Sequence, residues 1–335
     1  MVEIAIETEG GARLVSRGPE RRAGDGQRAR RTLEMTSETS RKPATTRAAS
    51  LLAALSIFTF ATGGNCSRAR VESVTQMNEG VVLAQTGRHI DAVESLERAT
   101  AIDPTNEQAY YNLALVHIEL RSFERAKQDL EQAITINGEV AGYHEKLGTV
   151  AMQLEDWNAA KEAFEKAIEI DPDLFKAYFK LAQVHEKLEQ PQEALQRYTE
   201  SIEHGPRFVE AYSALGGLYA DLGYLDEATQ VLQSGLEVSM QGTEEEASLH
   251  HLLGTVYQQQ EPPNYAQAID EFKAALEIVP GMRDALFSLG WAYSMTDERE
   301  EARRFLKKFV DVAGGDAPPH YLKAARDRLG ELGVN

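Results

Sequence analysis

The stretch that decides the fold is "SLERATAIDPTN" (95–106), because it recurs along the chain. It returns as "AFEKAIEIDPDL" (163–174) and again as "EFKAALEIVPGM" (271–282). Aligning the three copies gives a repeating unit of 34 residues. Repetition at such a period indicates an array in which each unit is one supersecondary element that packs on its neighbours.

Seven units follow one another, and each has small and large residues at fixed positions. They begin at Ser73, Glu107, Ala141, Phe175, Val209, Ala247 and Arg283, and the sixth carries two extra residues. The eighth position is always Gly or Ala, the twentieth is always Ala, and the twenty-fourth is always large and apolar. Two helices approach closely where small side chains meet, so each unit is predicted to be a helix hairpin. Proline or another helix breaker then ends most units, as at Pro104 and Pro172.

This pattern resembles the tetratricopeptide repeat (TPR), and the resemblance covers residues 73–316. It implies an all-α, right-handed solenoid of about seven hairpins. It also implies that the first helix of each unit lines a concave groove, chiefly through positions two, five, six, nine and twelve. The groove candidates at these positions are Tyr111, Asn112, Leu115, Lys146, Phe179, Lys180, Gln183, Phe287 and Trp291. The alternative for individual members is packing between helices.

The last residues, 317–335, are predicted to form a helix that caps the array. Prolines at 318 and 319 suit a first turn. An apolar stripe at helical spacing follows, comprising Tyr321, Leu322, Ala325, Leu329 and Leu332. A repeat array needs such an end helix, with one face packed and one face in water.

Charge is distributed unevenly along the 335 residues. Residues 1–72 hold 12 basic and 8 acidic side chains, a charge of +4, so the whole-chain charge of −18 leaves −22 on the remainder. A body this acidic repels phosphate backbones, which argues against nucleic acid as a partner. We expect a protein or peptide partner that is neutral or basic.

The segment before the repeats has the layout of an export signal. Residues 1–47 are polar and are expected to be disordered or an n-region, and translation from Met35 would give the shorter, more usual n-region. Residues 48–65 form an apolar segment, read as a cleaved signal or as an uncleaved membrane anchor. Residues 66–72 are expected to be a short tether.

Cys66, the only cysteine, directly follows that apolar segment. Its position resembles a bacterial lipobox, in which the cysteine is lipidated and becomes the new N-terminus. The resemblance implies a bacterial TPR lipoprotein attached to the cell envelope and facing the periplasm. Asn65 and Gly63 depart from the usual lipobox residues, so cleavage of a plain signal near Gly64 stays open.

The histidines of the repeats, which are candidates for catalysis, occupy positions that are typical of helix packing. His117 and His185 occupy position eleven, and His144 and His250 position four, where aromatic packing residues are common. The sequence contains no HExxH motif and no glycine-rich phosphate loop, so no enzyme activity, metal or cofactor is expected. The predicted function is a protein-interaction scaffold. The alternatives are an envelope-assembly lipoprotein, like those that assist pili or secretins, and a membrane-anchored cytoplasmic adaptor.

Overall fold

A computed structural model describes residues 66–314 and 318–333, with side chains from Arg68 onward. Within these residues the chain forms fifteen α-helices and no strand. The first helices of the hairpins are α1 (Cys66–Gln85), α3 (Glu107–Glu119), α5 (Ala141–Gln153), α7 (Phe175–Lys187), α9 (Val209–Asp221), α11 (Glu244–Gln259) and α13 (Arg283–Met295). The second helices are α2 (His89–Ile102), α4 (Phe123–Ile136), α6 (Trp157–Ile170), α8 (Pro191–His204), α10 (Leu225–Val238), α12 (Tyr265–Ile278) and α14 (Arg299–Ala313). A terminal helix, α15 (Pro319–Glu331), follows them.

The helices are arranged as seven hairpins stacked in series. Each first helix packs on the second helix of its own hairpin, and that second helix packs on the next first helix. First helices of successive hairpins also approach one another, as α9 does with α11 and α11 with α13. Second helices show no comparable approach in the described part of the chain. The first helices therefore form the inner layer of an α-solenoid, which confirms the predicted fold.

The small and large positions of the repeat meet inside each hairpin. A Cβ atom at Gly254, position eight, would lie 2.6 Å from Cε1 of Phe272, position twenty-four. The same positions meet at Gly148 with Phe164 and at Gly216 with Leu232. All seven alanines at position twenty are fully buried: Ala92, Ala126, Ala160, Ala194, Ala228, Ala268 and Ala302. The small residue sets the helix separation, and the large one fills the space beside it.

In most hairpins, the inner turn places the fifteenth residue of the repeat in the left-handed backbone region. Six of the seven repeats share this conformation, at Gly87, Arg121, Glu155, Glu189, Gly223 and Asp297. The next amide then closes the helix end, as Ser122 does by donating to the carbonyl of His117 at 2.8 Å. Repeat six differs because its two extra residues lie in this turn.

Helix α1 begins at Cys66, so residues 66–72, expected to be a tether, are helical and continuous with the first repeat. The physical reason is a set of contacts to the end of helix α2, in the same hairpin. Arg70 Nη1 lies 2.9 Å from Asp103 Oδ2, and Ser73 donates to the carbonyl of Ala99 at 2.8 Å. Hydrogen bonds from Thr105, aided by Arg70, lower the pKa of Asp103.

Predictions for residues 1–65 lie outside the described residues. None of the described helices is long and apolar enough to cross a membrane.

Helix α15 covers the apolar end of the last hairpin, as its stripe predicted. Ala325, Leu329 and Leu332 are buried in one cluster with Phe309 of α14. Arg303 Nε donates to the carbonyl of Leu332 at 2.7 Å, which fixes the end of the helix. The terminal helix thus closes the core of the array at this end.

Candidate functional site

The groove candidates all lie on first helices, but the structure separates them into three groups. The first, on α3 and α5, contains Tyr111, Asn112, Leu115 and Lys146. The second, on α7, contains Phe179, Lys180 and Gln183. The third, on α13, contains Phe287 and Trp291. Each group has a different environment, so the groups differ in what they offer a partner.

Leu115 and Lys146 line a hollow of about 530 Å³, here called the N-terminal hollow. Its lining comes from repeats one to three and comprises Ala84, Gln85, His89, Leu115, Val116, Ile118, Glu119, Lys146 and Thr149. The aliphatic members form an apolar floor, and the charged and amide groups lie among them. Lys146 makes no ion pair within the described residues, so its ammonium group is available. Nδ1 of His89 is buried with no hydrogen-bond partner in the same part of the chain.

Tyr111 and Asn112 do not line this hollow. The Tyr111 ring packs against Tyr143 of the next repeat, with ring centroids 4.9 Å apart. Burial, with a smaller effect from Glu145, raises the pKa of the Tyr111 hydroxyl. Asn112 Nδ2 donates to the carbonyl of Gln108 at 2.8 Å. Tyr111 therefore belongs to the joint between repeats two and three, while Asn112 bonds within its own helix.

The α7 group combines one packing residue with two polar ones. Phe179 lies edge-on to Phe208 of the following turn, with centroids 5.0 Å apart, and 5.5 Å from Tyr198. Lys180 Nζ lies 5.7 Å from the Phe179 ring centroid and donates to Gln183 Oε1 at 3.1 Å. Phe179 therefore joins repeats four and five, while Lys180 and Gln183 remain partly exposed.

Phe287 lines a second hollow of about 480 Å³, the C-terminal hollow. The lining comprises His251, Thr255, Arg283, Asp284, Phe287, Ser288, Phe309, Pro318 and Tyr321. Phe287 packs on Tyr321 of α15, with centroids 4.9 Å apart, and its other side stacks on Trp291 at 5.9 Å. Trp291 is 36% exposed and lies against the guanidinium of Arg328. The terminal helix thus supplies one wall of this hollow.

Family comparisons identify the repeat. Models described as tetratricopeptide repeat match residues 107–139, 139–205, 179–239 and 263–325, and a TPR repeat model matches residues 80–121. The chain is a tetratricopeptide repeat protein. No curated protein matched the chain.

Solved structures share the fold of this TPR protein. The C-terminal part of a TPR repeat-containing protein from Cytophaga hutchinsonii is 16% identical, with a TM-score of 0.62. The match covers 76% of this chain and 99% of that one. Yeast Tom70 is 15% identical with a TM-score of 0.52, over 79% of this chain and 55% of Tom70. At these identities the likeness concerns the fold alone.

The histidines of this TPR protein are engaged in packing, as their repeat positions predicted. His117 Nδ1 lies 2.7 Å from Asp129 Oδ2, and burial raises the pKa of that carboxyl group. His185 Nδ1 lies 2.8 Å from Gln190 Oε1, and His144 Nε2 lies 2.9 Å from the carbonyl of Gly138. The described residues contain no group of three or more His, Cys, Asp and Glu side chains that could hold a metal ion.

Sequence reasoning missed His251 and Tyr321 in the TPR inner face. His251 occupies position five of repeat six, so the repeat frame itself could have found it. Its Nε2 lies 3.2 Å from the Ser288 hydroxyl, and burial lowers its pKa, which keeps the ring neutral. Tyr321 lies on α15, outside the frame; the sequence placed it in the apolar stripe of the end helix but not at this hollow.

Proposed function

We propose that this TPR protein is a non-enzymatic interaction scaffold that binds an extended peptide or a partner helix on its first-helix layer. The N-terminal hollow is the observation that carries the proposal. It combines an apolar floor around Leu115 with the unpaired ammonium group of Lys146 at its edge. Such a surface can bury an apolar side chain of a partner and orient the neighbouring polar groups.

The environment of the other candidates supports the same assignment. Tyr111 and Phe179 are committed to joints between repeats, which fix the first helices relative to one another. His117 and His185 are committed to hydrogen bonds inside their hairpins. These contacts fix the positions of the first helices relative to one another. A surface that is fixed in this way binds a partner at a lower entropic cost.

Leu115→Arg is expected to weaken peptide binding tenfold or more. A charged side chain in the apolar floor removes the burial of one large partner side chain, which contributes about 1.5–3 kcal/mol. Binding would be measured on an array of peptides of about 12 residues, a length that spans several repeats. The hits would then be titrated in solution by fluorescence anisotropy.

Ile136→Arg is the matched control, because Ile136 is a partly exposed aliphatic residue at the end of second helix α4. This variant should bind as the unmodified protein does, and circular dichroism should show equal helix content in both variants. Equal loss of binding in the two variants, or no loss in Leu115→Arg, would contradict the placement of the peptide in the N-terminal hollow.

We further propose that Cys66 attaches this scaffold to a bacterial envelope membrane. The support is the sequence layout, in which the apolar segment 48–65 directly precedes the lone cysteine. Alternatives are cleavage near Gly64 without lipid, and an uncleaved anchor that holds a cytoplasmic adaptor.

Cys66→Ala is expected to move the exported protein from the membrane fraction to the soluble fraction. Mass spectrometry of the mature protein without this substitution should show an acylated cysteine at its N-terminus. A variant that stays in the membrane fraction, or an unmodified thiol in the mature protein, would exclude lipid attachment. An intact segment 48–65 in the mature chain would favour the anchor.

A further inference from the structure

We propose that the partner of the first-helix layer is a charge-segregated peptide, with acidic residues over repeats three and four and basic residues over repeats five and six. This inference rests on the proposed function and names the chemistry of its partner. It refines the expectation of a neutral or basic partner, which follows from net charge alone.

Repeats three and four present a basic patch, formed by Lys146, Lys176 and Lys180. Lys146 and Lys180 occupy position six of adjacent repeats, so they are neighbours in the inner layer. Helix α7 carries three lysines and one glutamate, and that glutamate, Glu186, accepts a hydrogen bond from Tyr198. None of the three lysines of the patch forms an ion pair with another described residue.

Repeats five and six present an acidic patch, formed by Glu210, Glu244 and Glu245. These carboxylates line a hollow of about 500 Å³, the middle hollow, whose other lining residues are Ser213, Ala214 and Ser248. Arg207 lies in the adjoining hollow with Glu210 and Glu245, but it makes no ion pair with them. Helices α9 and α11 contain no lysine or arginine.

Charges on the second helices behave differently. They form ion pairs within one helix, such as Arg98 with Glu94, Lys166 with Glu169 and Arg197 with Glu200. On the inner layer, α5 also carries Glu145, but no lysine of α5 or α7 has a carboxylate at pairing distance in the described residues, and α9 and α11 carry no lysine or arginine. Separated charges on one face favour a partner with the complementary order, and they reject one with the opposite order.

The spacing of the patches defines the spacing of charges in the peptide. Helices that pack against each other lie about 9 Å apart. An extended peptide advances about 3.3 Å per residue, so each repeat spans about three peptide residues. Glu210 on α9 and Glu245 on α11 follow Lys180 by one and two first helices. Acidic and basic residues of the partner should therefore lie about three to six positions apart.

Three synthetic peptides of identical composition test this inference. Two carry acidic and basic halves in opposite orders, the third alternates the charges, and all three carry a leucine and a phenylalanine at the same end for the apolar floor of the N-terminal hollow. Anisotropy titrations would be run at about 0.01 M and about 0.15 M ionic strength. One segregated peptide should bind about tenfold more tightly than the alternating peptide at low salt, and less so at high salt.

Charge reversal in the protein then assigns the preference to the two patches. The pair K146E and K180E, and separately the pair E210K and E245K, should each remove the preference for the segregated peptide. Combining all four substitutions should exchange the affinities of the two segregated peptides, so that the weaker binder becomes the tighter one. The control K161E makes the same charge change on second helix α6 and should leave the preference intact.

The outcomes separate the two proposals. Equal affinities for segregated and alternating peptides, with Leu115→Arg still weakening all of them, would overturn the charge inference and leave the scaffold function standing. An equal effect of K161E and of the patch reversals would also overturn it. Absence of binding by every peptide would overturn both.

Discussion

Phe272→Ala is expected to lower the free energy of unfolding by about 3–5 kcal/mol, because it empties the centre of the sixth hairpin. Phe272 is fully buried, and its ring lies directly against Gly254. Glycine has no side chain that could move into the vacated space, so the cavity would persist. Urea titration followed by far-ultraviolet circular dichroism would measure the loss.

Two further variants make this prediction specific. Phe272→Leu keeps most of the apolar volume, and leucine fills the equivalent position against Gly216 and Gly290. The free energy of unfolding should therefore fall by less than it does in Phe272→Ala. Glu277→Ala changes an exposed residue of the same helix and should be nearly neutral. A loss below about 1 kcal/mol for Phe272→Ala would mean that the hairpin closes around the cavity.

Ending the chain after Gly314 is expected to lower the free energy of unfolding by about 3 kcal/mol or more. It is also expected to cause self-association. The truncation removes helix α15 and with it the burial of Leu322, Leu329 and Leu332, each contributing about 1.5–3 kcal/mol when fully buried. It also uncovers Phe287 and Phe309 on the last hairpin. Thermal unfolding and light scattering after size exclusion would measure both effects.

Leu329→Asp should reproduce part of this effect without shortening the chain, because it places an uncompensated charge in the same interface. Lys323→Ala, on the exposed side of α15, is the matched control. A truncated protein that stays monomeric and equally stable would show that the last hairpin needs no cap. Peptide binding at the N-terminal hollow should survive truncation, because each repeat contacts only its neighbours.

The repeat frame made the core predictable from sequence. Positions eight, twenty and twenty-four recur at fixed spacing, and each has a distinct size requirement set by the distance between two helices. Every alanine at position twenty and every large residue at position twenty-four is buried as expected. The left-handed residue of the inner turn was not predictable in this way. Only Gly87 and Gly223 among the six are glycines, so the sequence carries little of the usual signal.

The candidate site was only partly predictable. The frame placed Leu115, Lys146 and Phe287 on first helices, where they line two hollows, since these positions follow from helical periodicity. It could not separate them from Tyr111 and Phe179, which have the same periodicity but turn toward the neighbouring repeat. His251 and Tyr321 come together from different helices, and that proximity depends on how repeat seven packs against α15.

The sequence by itself determined the number of hairpins, the residues that form their cores and the presence of an end helix. These features are local, since each depends on the size and spacing of residues within one unit of 34. Only the tertiary structure decided which inner-face side chains stay open to a partner, and where the hollows lie. It also decided that residues 66–72 continue the first helix. Those outcomes depend on side-chain packing and hydrogen bonds across repeats, which residue spacing within a unit does not record.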